Sequence, residues 1–302
     1  MPSIACNSPG AFIKASRPQT LGATLCPVLI GSAFAYAQGV FLPRYFCAAM
    51  LTALLLQVLA NVVNDYGDFK KGADGNDRLG PPRAMQMGWI SKRVMEQFIA
   101  GLLVLIIALG LVLIAQGGLA IFLAGFLGLV ICLCYTLGPR PLAYVGYVEI
   151  IIFFVFGPGE VGGAYYIHGL SVSHEALAMS LSPGFLACAL NMTNNLRDIN
   201  QDRMVHKNTM AVRYGEQAAR MMIVGCLVLS LLGPMLFVLL YDYSYWFFML
   251  WLCWLPALKM LPIVLHEPIS TRFNLMLKSI GQTLYLLGLF ASISIVYASS
   301  ST

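Results

Sequence analysis

The chain has 302 residues, 59% of them hydrophobic and only 10% charged, against roughly 25% charged in an ordinary soluble domain. That much apolar side chain cannot be hidden in one soluble core, so the composition excludes a water-soluble globular protein and indicates an integral membrane protein. The formal net charge of +5 is small, and no nucleic-acid partner is expected from it.

In chain order, the first 19 residues carry Lys14 and Arg17 but no signal-peptide pattern with a small-residue cleavage site. No removed targeting segment is expected. Nine apolar runs follow, each near the ~17–25 residues that span a bilayer. They lie near 21–40, 45–66, 94–115, 119–138, 146–168, 175–198, 217–240, 245–264 and 276–298. Gly117-Gly118 and Gly138-Pro139 mark clear breaks between them. Cys26, Cys132, Cys134, Cys188, Cys226 and Cys253 sit inside apolar runs as small hydrophobes, and neither a zinc site nor a structural disulfide is expected. The expected fold is therefore all-α and membrane-integral, a single domain over 1–302 with nine transmembrane helices.

The basic residues test that count. With the start placed inside, every Lys and Arg except Arg44 falls on an inner segment. The bias supports nine spans, with the start cytoplasmic and the end outside. Residues 67–93 and 199–216 then become long cytoplasmic loops. The outer connection from Tyr241 to Trp246 is aromatic, as an interfacial belt should be.

Each long loop follows a polar helix end. The first is Asn61-Val62-Val63-Asn64-Asp65-Tyr66-Gly67-Asp68; the second is Asn194-Asn195-Leu196-Arg197-Asp198-Ile199-Asn200-Gln201-Asp202. Asn64 and Asp68, Asn61 and Asp65, and Asn194, Asp198 and Asp202 are each four apart, which stacks them on one helix face. Asp74 and Asp77 continue the first cluster. Carboxylates at a helix C-terminus oppose its macrodipole and repel one another unless a cation lies between them. Hard oxygen ligands in this pattern suit Mg²⁺, which takes one or two carboxylates and completes its shell with water and phosphate. Recurrence after four spans also hints at a four-helix unit used twice.

Together these residues resemble the UbiA superfamily of intramembrane prenyltransferases, and within it the branch that prenylates 1,4-dihydroxy-2-naphthoate in menaquinone biosynthesis. The resemblance rests on Arg17-Pro18-Gln19-Thr20-Leu21, Asn64 to Asp68, Lys71-Gly72-Ala73-Asp74, Asp77 to Arg83 with Gly88, Tyr135 to Pro141, Asn194 to Arg203, and Lys207-Asn208-Thr209. It covers about residues 16–215. In the general pattern Gly72 stands where a third acid falls, and this chain has Asp74 slightly later.

The resemblance implies nine helices around a central cavity, capped by the loops 67–93 and 199–216, in a bacterial inner membrane. It implies Mg²⁺ as cofactor, held by Asp65, Asp68, Asp74, Asp198 and Asp202. Asn64 and Asn194 orient a prenyl diphosphate donor, and Lys71, Arg78, Arg140, Arg197 and Lys207 add positive charge. Asp68, Asp198, Asp202 and Tyr135 are the expected catalytic set. The aromatic acid acceptor would be prenylated with loss of CO₂, giving demethylmenaquinone.

Other acceptors, 4-hydroxybenzoate or homogentisate, stay open, and so does a cation-coupled transporter. The latter's acids belong near the bilayer midplane rather than at helix ends. The Asp-Gly-x-x-Ala-Arg pattern of CDP-alcohol transferases is absent. Glu160, in Gly157-Pro158-Gly159-Glu160, is an outer-face acid that the resemblance leaves unexplained.

Overall fold

The computed structural model describes residues 5–72, 78–241 and 245–299. Among these every regular element is helical, because backbone polar groups in lipid must be satisfied within the segment that carries them. A short α1 (Pro9–Ser16) and a 3₁₀ turn (Pro18–Thr20) lead into α2 (Gly22–Ala37), α3 (Pro43–Lys70) and the long α4 (Lys92–Cys134). After a turn at Leu142–Tyr144, α5 (Val148–Phe154) and α6 (Glu160–Gly169) are joined by a π-helical stretch, Val155–Gly159. Pro158, which has no N–H to donate, lies inside it.

Then come α7 (His174–Met179), α8 (Leu181–Arg197), α9 (Ile199–Met204) and α10 (Met210–Tyr214). The chain finishes with α11 (Glu216–Leu229), α12 (Leu232–Tyr241), a 3₁₀ segment (Tyr245–Trp254), α13 (Leu255–His266) and α14 (Phe273–Ser299).

Among the described residues, seven helical stretches are long and apolar enough to cross a membrane. An eighth is added if Pro9–Thr20 and Gly22–Ala37, bent by 58°, act as one. Two differences from the nine expected runs account for this. The first run yields only the 16 residues of α2, too few to span alone. The third and fourth runs merge into α4, whose backbone leaves the helical region at Gly118 (φ 60°, ψ −146°). The segment expected as a loop at 199–216 carries α9 and α10; Thr209 caps α10, its Oγ1 accepting from Val212 N at 3.4 Å.

Among the described residues two larger apolar clusters and a small one, Tyr45, Ala48, Leu113 and Ile167, form the interior. Phe34, Leu186, Trp254 and Ile280 belong to the largest, and Leu59, Val63, Met95 and Ile106 to that of α3 and α4. Helix α14 packs along α2, so the last helix meets the first long one. Their approach depends on Gly288, where a Cβ would lie 2.7 Å from Cys26 Cα. Close backbone contact through small residues is how helices associate without a hydrophobic drive in lipid. Gly288→Val should lower stability by about 2 kcal/mol or more, as overpacking against backbone does, read from thermal unfolding in detergent.

Candidate active site

Helix α3 ends with two polar faces that have different tasks. Asp65 is buried, and both its oxygens are engaged by the loop that follows: Oδ2 accepts from Ala84 N at 2.9 Å and Oδ1 from Met85 N at 3.3 Å. One turn earlier, Asn61 Nδ2 donates to Ser16 O and Thr20 Oγ1, both at 2.9 Å. It thereby pins the turn at Arg17, a residue with φ +48°. The neighbouring face presents Asn64 and Asp68 to a cleft. Asp65, expected as a metal ligand, holds the segment that delivers Arg83. Arg83 Nη2 lies 2.6 Å from Asp68 Oδ2, and its Nη1 donates to Asn64 Oδ1.

Helix α8 ends in a similar division. Asn194 and Asp198 line the cleft, with Gln201, Asp202, Val205 and Lys207 from the segment beyond. Arg197 is buried behind them. Its Nε and Nη2 grip the two oxygens of Asp198 at 2.8 and 2.6 Å, while Nη2 also reaches Asn194 Oδ1 at 2.6 Å and Nη1 Asn274 Oδ1 at 2.7 Å. Asn274 in turn donates to Leu79 O at 2.9 Å. Arg197, expected as a diphosphate-binding cation, has its guanidinium on Asp198 and is not among the residues that line the cleft.

Asp202 differs from both. It is 5% exposed, its Oδ1 lies 3.5 Å from Lys207 Nζ, and its buried Oδ2 has no hydrogen-bond partner among the described residues. Burial pushes its carboxyl up to about 6, with Asp198 adding to the rise and Lys207 opposing it. A buried carboxylate oxygen left without a partner is costly, and a bound cation would satisfy it. Among the described residues, no three His, Cys, Asp or Glu side chains cluster closely enough to form a ligand set alone. Mg²⁺ takes one or two carboxylates and completes its shell with water and phosphate oxygens. The residues therefore fit a divalent ion bound together with a phosphate-bearing ligand.

Around the carboxylates, Arg17, Arg78, Arg83 and Lys207 line the same cleft, and Tyr135 lines it from the end of α4. Tyr135 reaches it because Gly67 allows close packing: a Cβ there would lie 2.6 Å from Thr136 Cγ2. Two expected cations do not line the cleft. Lys71 is exposed and donates to Thr136 O at 2.8 Å, above the Tyr144 ring, and Arg140 is exposed and outside the lining. Asp74 lies outside the described residues. Arg17 and Gln201 were not among the expected site residues. The signal for Arg17 is its Arg-Pro step before the first span; Arg83 had only its place in a basic loop.

Comparison with known proteins gives a consistent answer. The model of the UbiA prenyltransferase family matches residues 24–264. The 1,4-dihydroxy-2-naphthoate octaprenyltransferase of Escherichia coli (strain K12) is 35% identical over 294 residues, covering 93% of this chain and 96% of that protein. The protein of the same description from Mycobacterium tuberculosis (strain ATCC 25618 / H37Rv) is 32% identical over 229 residues, 76% and 77% of the two chains. Among solved structures, a UbiA homologue from Archaeoglobus fulgidus bound to GPP and Mg²⁺ superposes with a TM-score of 0.62 at 16% identity, covering 95% of this chain and 99% of that one. The apo UbiA homologue from Aeropyrum pernix K1 gives 0.66 at 15%, covering 90% and 97%. These two establish likeness of fold.

Proposed function

This chain belongs to the UbiA prenyltransferase family, and from that premise we propose that it transfers an isoprenyl chain from a prenyl diphosphate to 1,4-dihydroxy-2-naphthoate, with loss of CO₂. It is an integral membrane enzyme, an aromatic prenyltransferase that depends on Mg²⁺. The observation that carries the reading is the meeting of two distant helix ends. Asp68 on one wall and Asp198 and Asp202 on the other enclose a single cleft that Arg17, Arg78, Arg83 and Lys207 make electropositive.

Asp68, Asp198 and Asp202 would hold Mg²⁺, which supplies positive charge to a departing diphosphate. The chain's own cations do the rest of the binding. Arg17, Arg78 and Lys207 face the cleft where the diphosphate oxygens would lie, and Arg83 is oriented by Asp68 and Asn64. Positive charge held in place before reaction lowers the cost of charge that builds up as the allylic C–O bond breaks. The allylic carbon is then attacked by the ring carbon bearing the carboxylate. Carbon–carbon bond formation is followed by departure of CO₂, whose bonding electrons return to the ring. Tyr135 lines the cleft beside the carboxylates, where it can position the aromatic acceptor.

Nine spans belong to the same proposal. The 43 residues of α4 would extend about 65 Å as one helix, twice a bilayer's hydrocarbon thickness. The non-helical backbone at Gly118 supports two spans there. With nine, the cleft and its flanking segments, 67–93 and 199–216, are cytoplasmic caps on a single domain, and the membrane is a bacterial inner membrane.

Turnover with one acceptor at a time tests the reaction. Diphosphate release from a long-chain prenyl diphosphate should require 1,4-dihydroxy-2-naphthoate, with one CO₂ per turnover. Release with 4-hydroxybenzoate instead would keep the chemistry and replace the acceptor.

The pH dependence has a definite sign. Without metal, Asp202 takes up a proton as pH falls through about 6, and an ion must displace that proton to bind. Mg²⁺ affinity should be flat above about pH 7 and weaken about tenfold per unit well below 6, read by calorimetry in the presence of diphosphate.

A further inference from the structure

Behind the cleft, α8 carries a second polar pair, Asn191 and Asn195, one helical turn apart. Both face Glu149 in the first turn of α5. Glu149 is buried, and its Oε1 accepts from Asn191 Nδ2 at 3.2 Å and from Asn195 Nδ2 at 3.0 Å. Asn191 Oδ1 then accepts from Tyr135 Oη at 3.0 Å. The other carboxylate oxygen, Oε2, is buried with no hydrogen-bond partner among the described residues. The helix N-terminus favours an acid at Glu149. Neither the paired motifs nor the reaction chemistry calls for one there.

The direction of this chain is fixed by what each group can do. Oε1 receives two N–H donors and acts only as an acceptor toward them, whether or not Oε2 carries a proton. The Asn191 amide cannot turn over without setting Oδ1 against that oxygen. With Oδ1 held toward Tyr135, the single phenolic hydrogen points at Asn191. The oxygen of Tyr135, which lines the cleft, is left to offer a lone pair there.

We propose that Glu149 is a positioning residue that, through Asn191, fixes Tyr135 as a hydrogen-bond acceptor for a hydroxyl of the aromatic substrate. The inference rests on the aromatic prenyl-transfer reading. No proton is transferred: Tyr135 keeps its own, and the substrate hydroxyl donates to its oxygen, which orients the ring. A carboxylate acting this way differs from one that merely ties α5 to α8, because its effect must pass through Tyr135.

The test is binding of 1,4-dihydroxy-2-naphthoate, without prenyl diphosphate, to the full-length detergent-solubilised protein. Wild type, Glu149→Leu, Tyr135→Phe and the double variant are compared, with KM for the prenyl diphosphate measured alongside. Glu149→Leu, which removes the acceptor that Gln would keep, and Tyr135→Phe should each weaken acceptor binding about five- to tenfold, the worth of one neutral hydrogen bond. The double variant should be no weaker than Tyr135→Phe alone, and the donor KM should stay unchanged.

Asn191→Ala severs the same link while leaving Glu149 its bond from Asn195, and should match Glu149→Leu even if the latter folds poorly. Wild-type affinity in Glu149→Leu or in Asn191→Ala would overturn the proposal, as would additive losses in the double variant. Those results with an active wild type sink this inference alone. A wild type that neither binds nor prenylates the acceptor sinks the functional reading with it.

Discussion

Asp202→Asn is expected to cut kcat by about 100- to 1000-fold, the scale of losing one preorganised electrostatic contact to a transition state, while the protein stays folded. The substitution keeps size and shape but removes the charge from a buried oxygen that has no hydrogen-bond partner among the described residues. The sign of the stability change separates this from simple damage. Asp202 titrates near 6 without metal, above the ordinary carboxylate range. Its ionised form therefore costs the metal-free protein stability near neutral pH, and that cost vanishes on acidification. A neutral Asn relieves it, so metal-free thermal unfolding at pH 7.5 should shift upward or stay level. Wild type should gain stability from Mg²⁺ with diphosphate, and the variant should gain much less. A variant with wild-type kcat would remove Asp202 from the reaction.

Arg197→Met is expected to have the largest effect on stability, about 3–5 kcal/mol, the usual cost of removing one partner of a buried ion pair. The guanidinium joins Asp198, Asn194 and Asn274, and through Asn274 reaches Leu79 of the loop after α3. Losing it leaves Asp198 charged without its partner and frees the contact between the two walls. Arg197→Lys should rescue little, since a single ammonium cannot reproduce the two-toothed grip on Asp198. Adding Asp198→Asn to Arg197→Met should recover part of the stability but none of the activity. Unfolding in detergent at fixed protein concentration reads both. An additive double variant would mean that the two side chains are not coupled.

Much of this architecture was legible in the chain because its signals are periodic or compositional. Apolar runs of bilayer length stand out, as do the Gly117-Gly118 break and two polar helix ends with acids one turn apart. Spacing could not tell which of two adjacent faces looks into the cleft. Asn61 and Asp65 share the four-residue spacing of Asn64 and Asp68, yet they anchor the Arg17 turn and the Ala84–Met85 loop. That choice is made by tertiary packing, which places a loop over one face and open space against the other.

The same limit applies to the cations. Arg17, Arg78, Arg83, Arg140 and Arg197 look equivalent as members of basic segments. Only the structure separates Arg197, buried as a brace, from Arg140, exposed on the surface. Glu149 did leave a signal, a lone acid at the start of an apolar run. Ionisable groups near membrane depth are usually functional, but its partners Asn191 and Tyr135 come from two other helices.

In the proposed mechanism the two helix ends form one metal-dependent diphosphate site. Its most direct test is calorimetric binding of a non-reactive prenyl thiodiphosphate to the detergent-solubilised protein, with Mg²⁺ or with EDTA, for wild type, Asp68→Asn and Asp198→Asn. Tight binding only with Mg²⁺, lost when either wall is changed, is the predicted result. Binding that survives EDTA, or that persists when one wall is altered, would contradict a site shared between them.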